Sequence, residues 1–226
     1  MIGFFASIWE NLPDWGPQML AAAVQTLQLT AASFVLAVAF GIVVALLRLS
    51  PLAPVRWLAI VFIEVGRGMP ALVILFLIYF GLPSLSPWLG LDSFTAAVIG
   101  LGLQGAALVG EIFRAGLLAV DRGQREAALT LGLTPGQAMV DVLVPQAVRI
   151  VLPPVGNYAI GLLKDTSIAS IIAAPDLMLR AKDLASSSFM PMQLYVLAAL
   201  LYFAMSYPLS LVVRRLERVM ATPHAR

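Results

Sequence analysis

Charged residues punctuate the chain at intervals that leave long apolar runs between them, and these runs predict the elements. Trp15 to Leu47 carries no charge, which is ample for one membrane-spanning helix of about 20 residues preceded by an interfacial segment. A second run, Trp57 to Phe80, is interrupted by Glu64 and Arg67. The third runs from Ser93 to Gly110, between Asp92 and Glu111. The fourth, Ile150 to Ile172, contains Lys164-Asp165-Thr166-Ser167, and the fifth, Ala185 to Val213, holds Pro208, a tolerated kink inside a membrane bundle. The prediction is an all-α membrane protein: one transmembrane domain over 1–226 with about five spans at 18–47, 57–80, 93–113, 150–172 and 191–213. The count falls to four if the fourth stretch is re-entrant.

Composition agrees. Of 226 residues, 61% are hydrophobic and 12% charged, against about 45–50% and about 25% in soluble domains, and the mean hydropathy is +0.94. With no cysteine, disulfides, thiolate chemistry and cysteine metal sites are excluded. The single histidine, His224 near the end, argues against histidine catalysis, and no metal or cofactor is expected. Neither lysine, Lys164 or Lys182, sits in a phosphate-binding glycine loop, so the chain is not its own ATPase. An intramembrane enzyme would need a nucleophile–base pair or metal ligands that this sequence lacks.

Basic residues assign the orientation, because basic loops stay cytoplasmic. Arg48, Arg56, Arg114, Arg122, Arg125, Arg149, Arg214, Arg215, Arg218 and Arg226 all fall on one side if the N-terminus is outside and the C-terminus cytoplasmic. The N-terminal stretch has Glu10 and Asp14 but no basic residue, which also argues against a cleaved signal peptide. Phe4, Phe5, Trp9 and Trp15 there read as an interfacial aromatic belt.

Between the third and fourth spans the pattern predicts two short helices with a sharp turn, a loop over about 121–145. Asp121 caps the first helix, with Gln124 at its third position reaching back. Gly132 suits the left-handed residue that ends it. Thr134, Pro135 and Gln137 repeat the capping pattern for the second. Such a pair either offers a rigid surface to a partner or packs against the ends of the spans.

Charges inside spans cost at least ~2.5–3.5 kcal/mol each on insertion scales, so they face a bundle interior or a water-filled path. Glu64 and Arg67 lie three apart on one helix face. They form either an ion pair or a site for a zwitterion, with Arg67 the better carboxylate ligand because a guanidinium grips with two parallel bonds. Asp165, with Thr166 and Ser167, falls in the outer half of span four, roughly 22 Å along a helix beyond Ile150. That cluster lines the path or sits at the outer interface with Lys164 snorkelling. Gln104, at mid-depth in span three, lines the path or bonds a neighbouring helix. Glu111 and Arg114 read as a local pair.

These segments carry a resemblance. Glu126-Ala127-Ala128, three residues, Gly132, nine residues, then Val142-Leu-Val-Pro145 resembles the EAA loop of bacterial ABC importer permeases, with Val142 and Val144 in place of Ile and Leu. Phe62-Ile-Glu64-Val-Gly-Arg67-Gly68-Met-Pro70 and Gly105-Ala-Ala-Leu-Val-Gly-Glu111-Ile-Phe-Arg114-Ala-Gly116 are similar to segments of the polar amino acid permeases, the histidine/glutamine/arginine group. Pro145-Gln146-Ala147 and Lys164-Asp165-Thr166-Ser167 match two further signatures. Met69 replaces Thr, Ala107 replaces Tyr and Ala115 replaces Gly. These five segments stand in the family's order, and the resemblance covers the chain from about Thr26 to the tail.

The resemblance implies a non-catalytic permease subunit of the bacterial inner membrane that pairs with itself or a sister permease. Its partners would be ATP-binding-cassette ATPase subunits inside, an extracytoplasmic solute-binding protein outside, and membrane lipid around it; no nucleic acid is involved. Gln124, Glu126, Ala127, Ala128, Gly132 and Pro145 would form the surface seated in a groove of the ATPase. An ion-gradient-driven secondary carrier is the competing class. Such carriers show inverted repeats, and five spans do not halve evenly.

Overall fold

The computed structural model describes residues 2–220, so His224 and Arg226 lie outside the described residues. Eight helices carry the fold: α1 Ile2–Arg48, α2 Ala53–Gly68, α3 Ala71–Leu85, α4 Ser93–Leu118, α5 Arg122–Thr130, α6 Pro135–Ile172, α7 Leu177–Ser188 and α8 Pro191–Met220. Among the described residues there is no strand. Helices α1, α4, α6 and α8 are each long and apolar enough to cross a bilayer, and the bent α2–α3 pair is a fifth candidate.

That fifth candidate, over the stretch expected as one span at 57–80, is sharply bent at Pro70. The chain turns through 108° between α2 and α3. Pro70 has no N–H to continue the ladder, and its ring pushes the preceding residue out of the helical region. Met69 accordingly sits extended at φ −95°, ψ 137°. The broken stretch is thus the second and not the fourth.

Helix α1 packs chiefly along α4, and small residues let the backbones close. A Cβ added at Gly105 would stand 2.7 Å from the Cβ of Ala37 and 2.8 Å from Cζ of Tyr158. Close backbone approach of this kind is how membrane helices gain van der Waals contact, since lipid supplies no hydrophobic drive between them. Asp92 caps α4 by accepting the Thr95 amide at 3.0 Å, and hydrogen bonds from Thr95 hold its carboxyl below the ordinary carboxylate range.

The helix after Gly132 is not a separate short one. It starts at Pro135 and runs on for 38 residues to Ile172 as α6. Pro145 is accommodated inside it by a wider π-helical turn over Ala138–Leu143, because the proline ring would otherwise strike the carbonyl four residues back. A second π turn, Leu77–Gly81, precedes Pro83 in the same way. The aromatic belt also needs correction at one position. Trp9 is 77% exposed, but Trp15 is 5% exposed, packed with Met19 of α1, Leu177 of α7 and Leu194 of α8.

The helices alternate in direction. Ser93 Oγ donates to the Ala173 carbonyl at 3.0 Å, which puts the start of α4 beside the end of α6. Asn157 Nδ2 donates to Glu217 at 3.1 Å, tying α6 to the last turns of α8. The bundle therefore has a Ser93 end, where α1 begins and α7 lies, and a Gly132 end, where α1, α4 and α8 finish.

Candidate functional site

At the Gly132 end the corner between α5 and α6 is built locally. Asp121 accepts the Gly123 amide at 2.7 Å. Gly132 takes φ +88°, and Leu133 N–H reaches the Ala128 carbonyl at 3.1 Å while Gly132 N–H reaches Leu129 at 3.0 Å. This is the Schellman pairing that ends a helix on a left-handed residue. Thr134 and Gln137 then complete a capping box on α6.

Gln124 departs from its predicted role: its side chain accepts Nε2 of Gln146 at 3.2 Å instead of reaching back to the cap. Gln146 also donates to the Val142 carbonyl at 3.0 Å, so the residue after Pro145 ties α5 to the π turn. Ala128 is buried beneath this corner, whereas Glu126, Ala127 and Gly132 are exposed. Beside them Leu131 is 84% and Val140 64% exposed.

The intramembrane polar residues separate into two groups. Glu64 and Arg67, on the last turns of α2, are both exposed and do not pair. The one ion pair among the described residues is Glu111–Arg114, in which Nε of Arg114 donates to Glu111 at 2.9 Å. Asp165 is likewise exposed. Leu75 of α3 shares a buried cluster with Ala169 and Ile172 of α6, so the break after Arg67 and the segment after Asp165 occupy neighbouring elements.

The second group makes hydrogen bonds within the bundle. Gln104 Nε2 donates to the Met69 carbonyl at 3.1 Å, the acceptor orphaned by the break at Pro70. Thr166 is fully buried and its hydroxyl donates to the Leu163 carbonyl at 2.7 Å; Ser167 does the same to Lys164 at 2.7 Å. The last seven residues of α6, Thr166–Ile172, wind more tightly, as a 3₁₀ helix. Thr166 follows the buried Leu162 and Leu163 by four and three residues, so it continues their face of the helix into the bundle.

Sequence reasoning missed a buried network at the Ser93 end. Asp176 is 1% exposed, caps α7 through the Leu179 amide at 2.7 Å and accepts the Tyr202 hydroxyl of α8 at 3.1 Å. Thr26 of α1, fully buried, accepts the Leu177 amide at 2.9 Å. The available signal was Pro175-Asp176 ahead of an apolar run, a helix-start pattern.

Comparison with known proteins places this geometry. Residues 37–222 match the family model described as "Binding-protein-dependent transport system inner membrane component". The chain is 40% identical over 188 residues to the probable glutamine ABC transporter permease protein GlnM of Bacillus subtilis (strain 168), covering 83% of this chain and 84% of the relative. It is 36% identical to the arginine transport system permease protein ArtQ of the same organism, covering 89% and 92%. A crystal structure of an amino acid ABC transporter with histidines superposes with a TM-score of 0.87 at 37% identity, covering 92% of this chain and 96% of that one. The chain therefore belongs to the family of binding-protein-dependent transport system inner membrane components, as a multi-pass permease subunit of an amino-acid ABC importer.

Proposed function

We propose that the Gly132 end faces the cytoplasm, that its capped corner docks on a separate ATPase subunit, and that Arg67 and Asp165 meet a polar amino acid in the path. The orientation rests on Arg48, Arg122, Arg125, Arg149 and Arg214, which the alternating helices bring to one end, as basic cytoplasmic loops require. Relatives named for glutamine and arginine are similarly close in sequence, and what those two substrates share is the α-carboxylate and α-ammonium. A permease of this type works as a pair with itself or a sister chain, between ATPases inside and a solute-binding protein outside. Its role is to move substrate; the phosphate chemistry belongs to the partner.

One observation carries the coupling role. The corner is fixed by capping at both helix ends and by Gln124–Gln146, yet it leaves Leu131 and Val140 exposed. Rigid local structure that presents apolar side chains marks an interaction surface. Because α6 is unbroken from Pro135 to Ile172, a push on this corner moves the segment that carries Asp165. The switch between outward and inward access is then a rigid-body change of packed helices.

Gly132→Val tests it. No atom would lie within 4 Å of the added Cβ, so the cost is the left-handed backbone, about 1–2 kcal/mol for a residue with a side chain. Substrate-stimulated ATP hydrolysis should fall while insertion stays normal. Full stimulation and uptake in this variant would sink the coupling assignment. Glu126→Lys, on the same exposed face, should weaken ATPase co-purification more at low salt than at high, because exposed charges are screened.

A further inference from the structure

At the Ser93 end, a cleft of about 450 Å³ opens between the first half of α1 and α7. Its size lies within the range of small-molecule sites, about 300–1,000 Å³. Gln18, Ala21 and Gln25 line one wall and Leu179, Arg180 and Asp183 the other. Arg180 and Asp183 stand three residues apart on α7, so their Cβ atoms are roughly 5–6 Å apart on one face. Neither takes part in an ion pair among the described residues, and both line the cleft and are exposed. The wall they stand on is held firmly: Asp176 and Thr26 pin the start of α7 to α8 and α1, and Lys182, between them, is turned away to Ser170 at 3.1 Å.

Across the cleft from this wall are Gln25 and Gln18, whose Nε2 donates to the Asp14 carbonyl at 2.9 Å. A guanidinium and a carboxylate on a fixed wall, with no ion-pair partner among the described residues, complement a small zwitterion. We propose that this cleft is a second, outer binding site for the α-carboxylate and α-ammonium of an amino acid, distinct from the Arg67 region. Arg180 takes the carboxylate in the two-bond geometry that guanidinium favours, Asp183 takes the ammonium, and Gln18 and Gln25 border the side chain. The inference rests on the proposed orientation and substrate class: with the Ser93 end outside, the cleft is a waiting position between release by the binding protein and entry to the path. The headgroup of phosphatidylethanolamine offers related chemistry, a phosphate and an ammonium, and the experiment separates it.

The chain has no cysteine, so Ala21→Cys is a unique reporter in the cleft. The permease–ATPase complex carrying it is placed in nanodiscs of phosphatidylcholine and phosphatidylglycerol, and the rate of maleimide labelling is read with glycine, L-glutamine or L-arginine added. All three should slow labelling severalfold, while ethylamine and propionate, each with one of the charges, should not. Protection should persist in Arg67→Gln and be lost both in Arg180→Gln with Asp183→Asn and in Leu179→Trp, which fills the cleft without changing charge. Equal labelling after denaturation and retained ATPase co-purification control for folding.

Failure of the amino acids to protect, protection only when phosphatidylethanolamine is added, protection abolished by Arg67→Gln, or protection surviving both cleft variants would each overturn the site. Uptake by the wild-type complex is measured alongside. Uptake without protection removes the outer site alone; absence of both removes the substrate reading as well.

Discussion

At the scale of single residues, the decisive question is what Arg67 does. Its guanidinium is exposed at the end of α2 and not paired with Glu64. If it grips the substrate carboxylate, Arg67→Gln removes charged hydrogen bonds of roughly 1.5–3 kcal/mol, about ten- to a hundredfold in half-saturating substrate. Adding Glu64→Gln should then restore nothing, since no buried pair is being dismantled together. Rescue of uptake by the double change, at equal expression and assembly, would make the pair structural. Asp176 offers a stability test: Asp176→Ala removes the cap of α7, about 1 kcal/mol, and strands the Tyr202 hydroxyl, roughly a further 1–3 kcal/mol. The melting temperature in detergent should drop clearly, and an unchanged one would refute the network's role. Gln104 shows why some of this was not legible in the sequence. Path lining and helix bonding use the same amide, and only the position of the Met69 carbonyl, 35 residues away, decides between them.

At the scale of elements, most of what was written locally was readable, with Gln124 the exception. Asp121, Gly132, Thr134 and Gln137 are stop and start signals within one or two turns, and the corner forms where they stand. What followed the corner was less readable. Pro145 suggests a break between a loop helix and a span, yet a π turn absorbs it and α6 continues. Pro70 does break its helix, because Gly68 and an extended Met69 precede it and Gln104 satisfies the exposed carbonyl. The burial of Thr166 was readable by the ordinary helical period, since it stands four and three residues after the buried Leu162 and Leu163 on one face. The α1–α4 seam yields a prediction of its own. Gly105→Ala crowds Ala37 and Tyr158, an overpacking that costs typically about 1–3 kcal/mol. A lowered melting temperature with preserved membrane insertion is expected; wild-type melting would show that the seam is looser than its geometry.

At the scale of the whole molecule, the alternating helices turn a scattered set of arginines into one basic end and leave Asp92, the α7 helix and the outer cleft at the other. Energy and substrate would thus enter at opposite ends, joined by α6, which reaches from the capped corner past Asp165. A carrier driven by an ion gradient would need no such corner. The direct test is uptake of labelled L-glutamine, L-arginine and L-histidine into proteoliposomes holding this chain, its ATPase and its binding protein. Ionophores collapse every gradient, and ATP is either present or absent on the side of the Gly132 end. The account predicts uptake with ATP and none without it, unaffected by the ionophores. Uptake that follows an imposed ion gradient in liposomes containing this chain alone, without ATP, would contradict it.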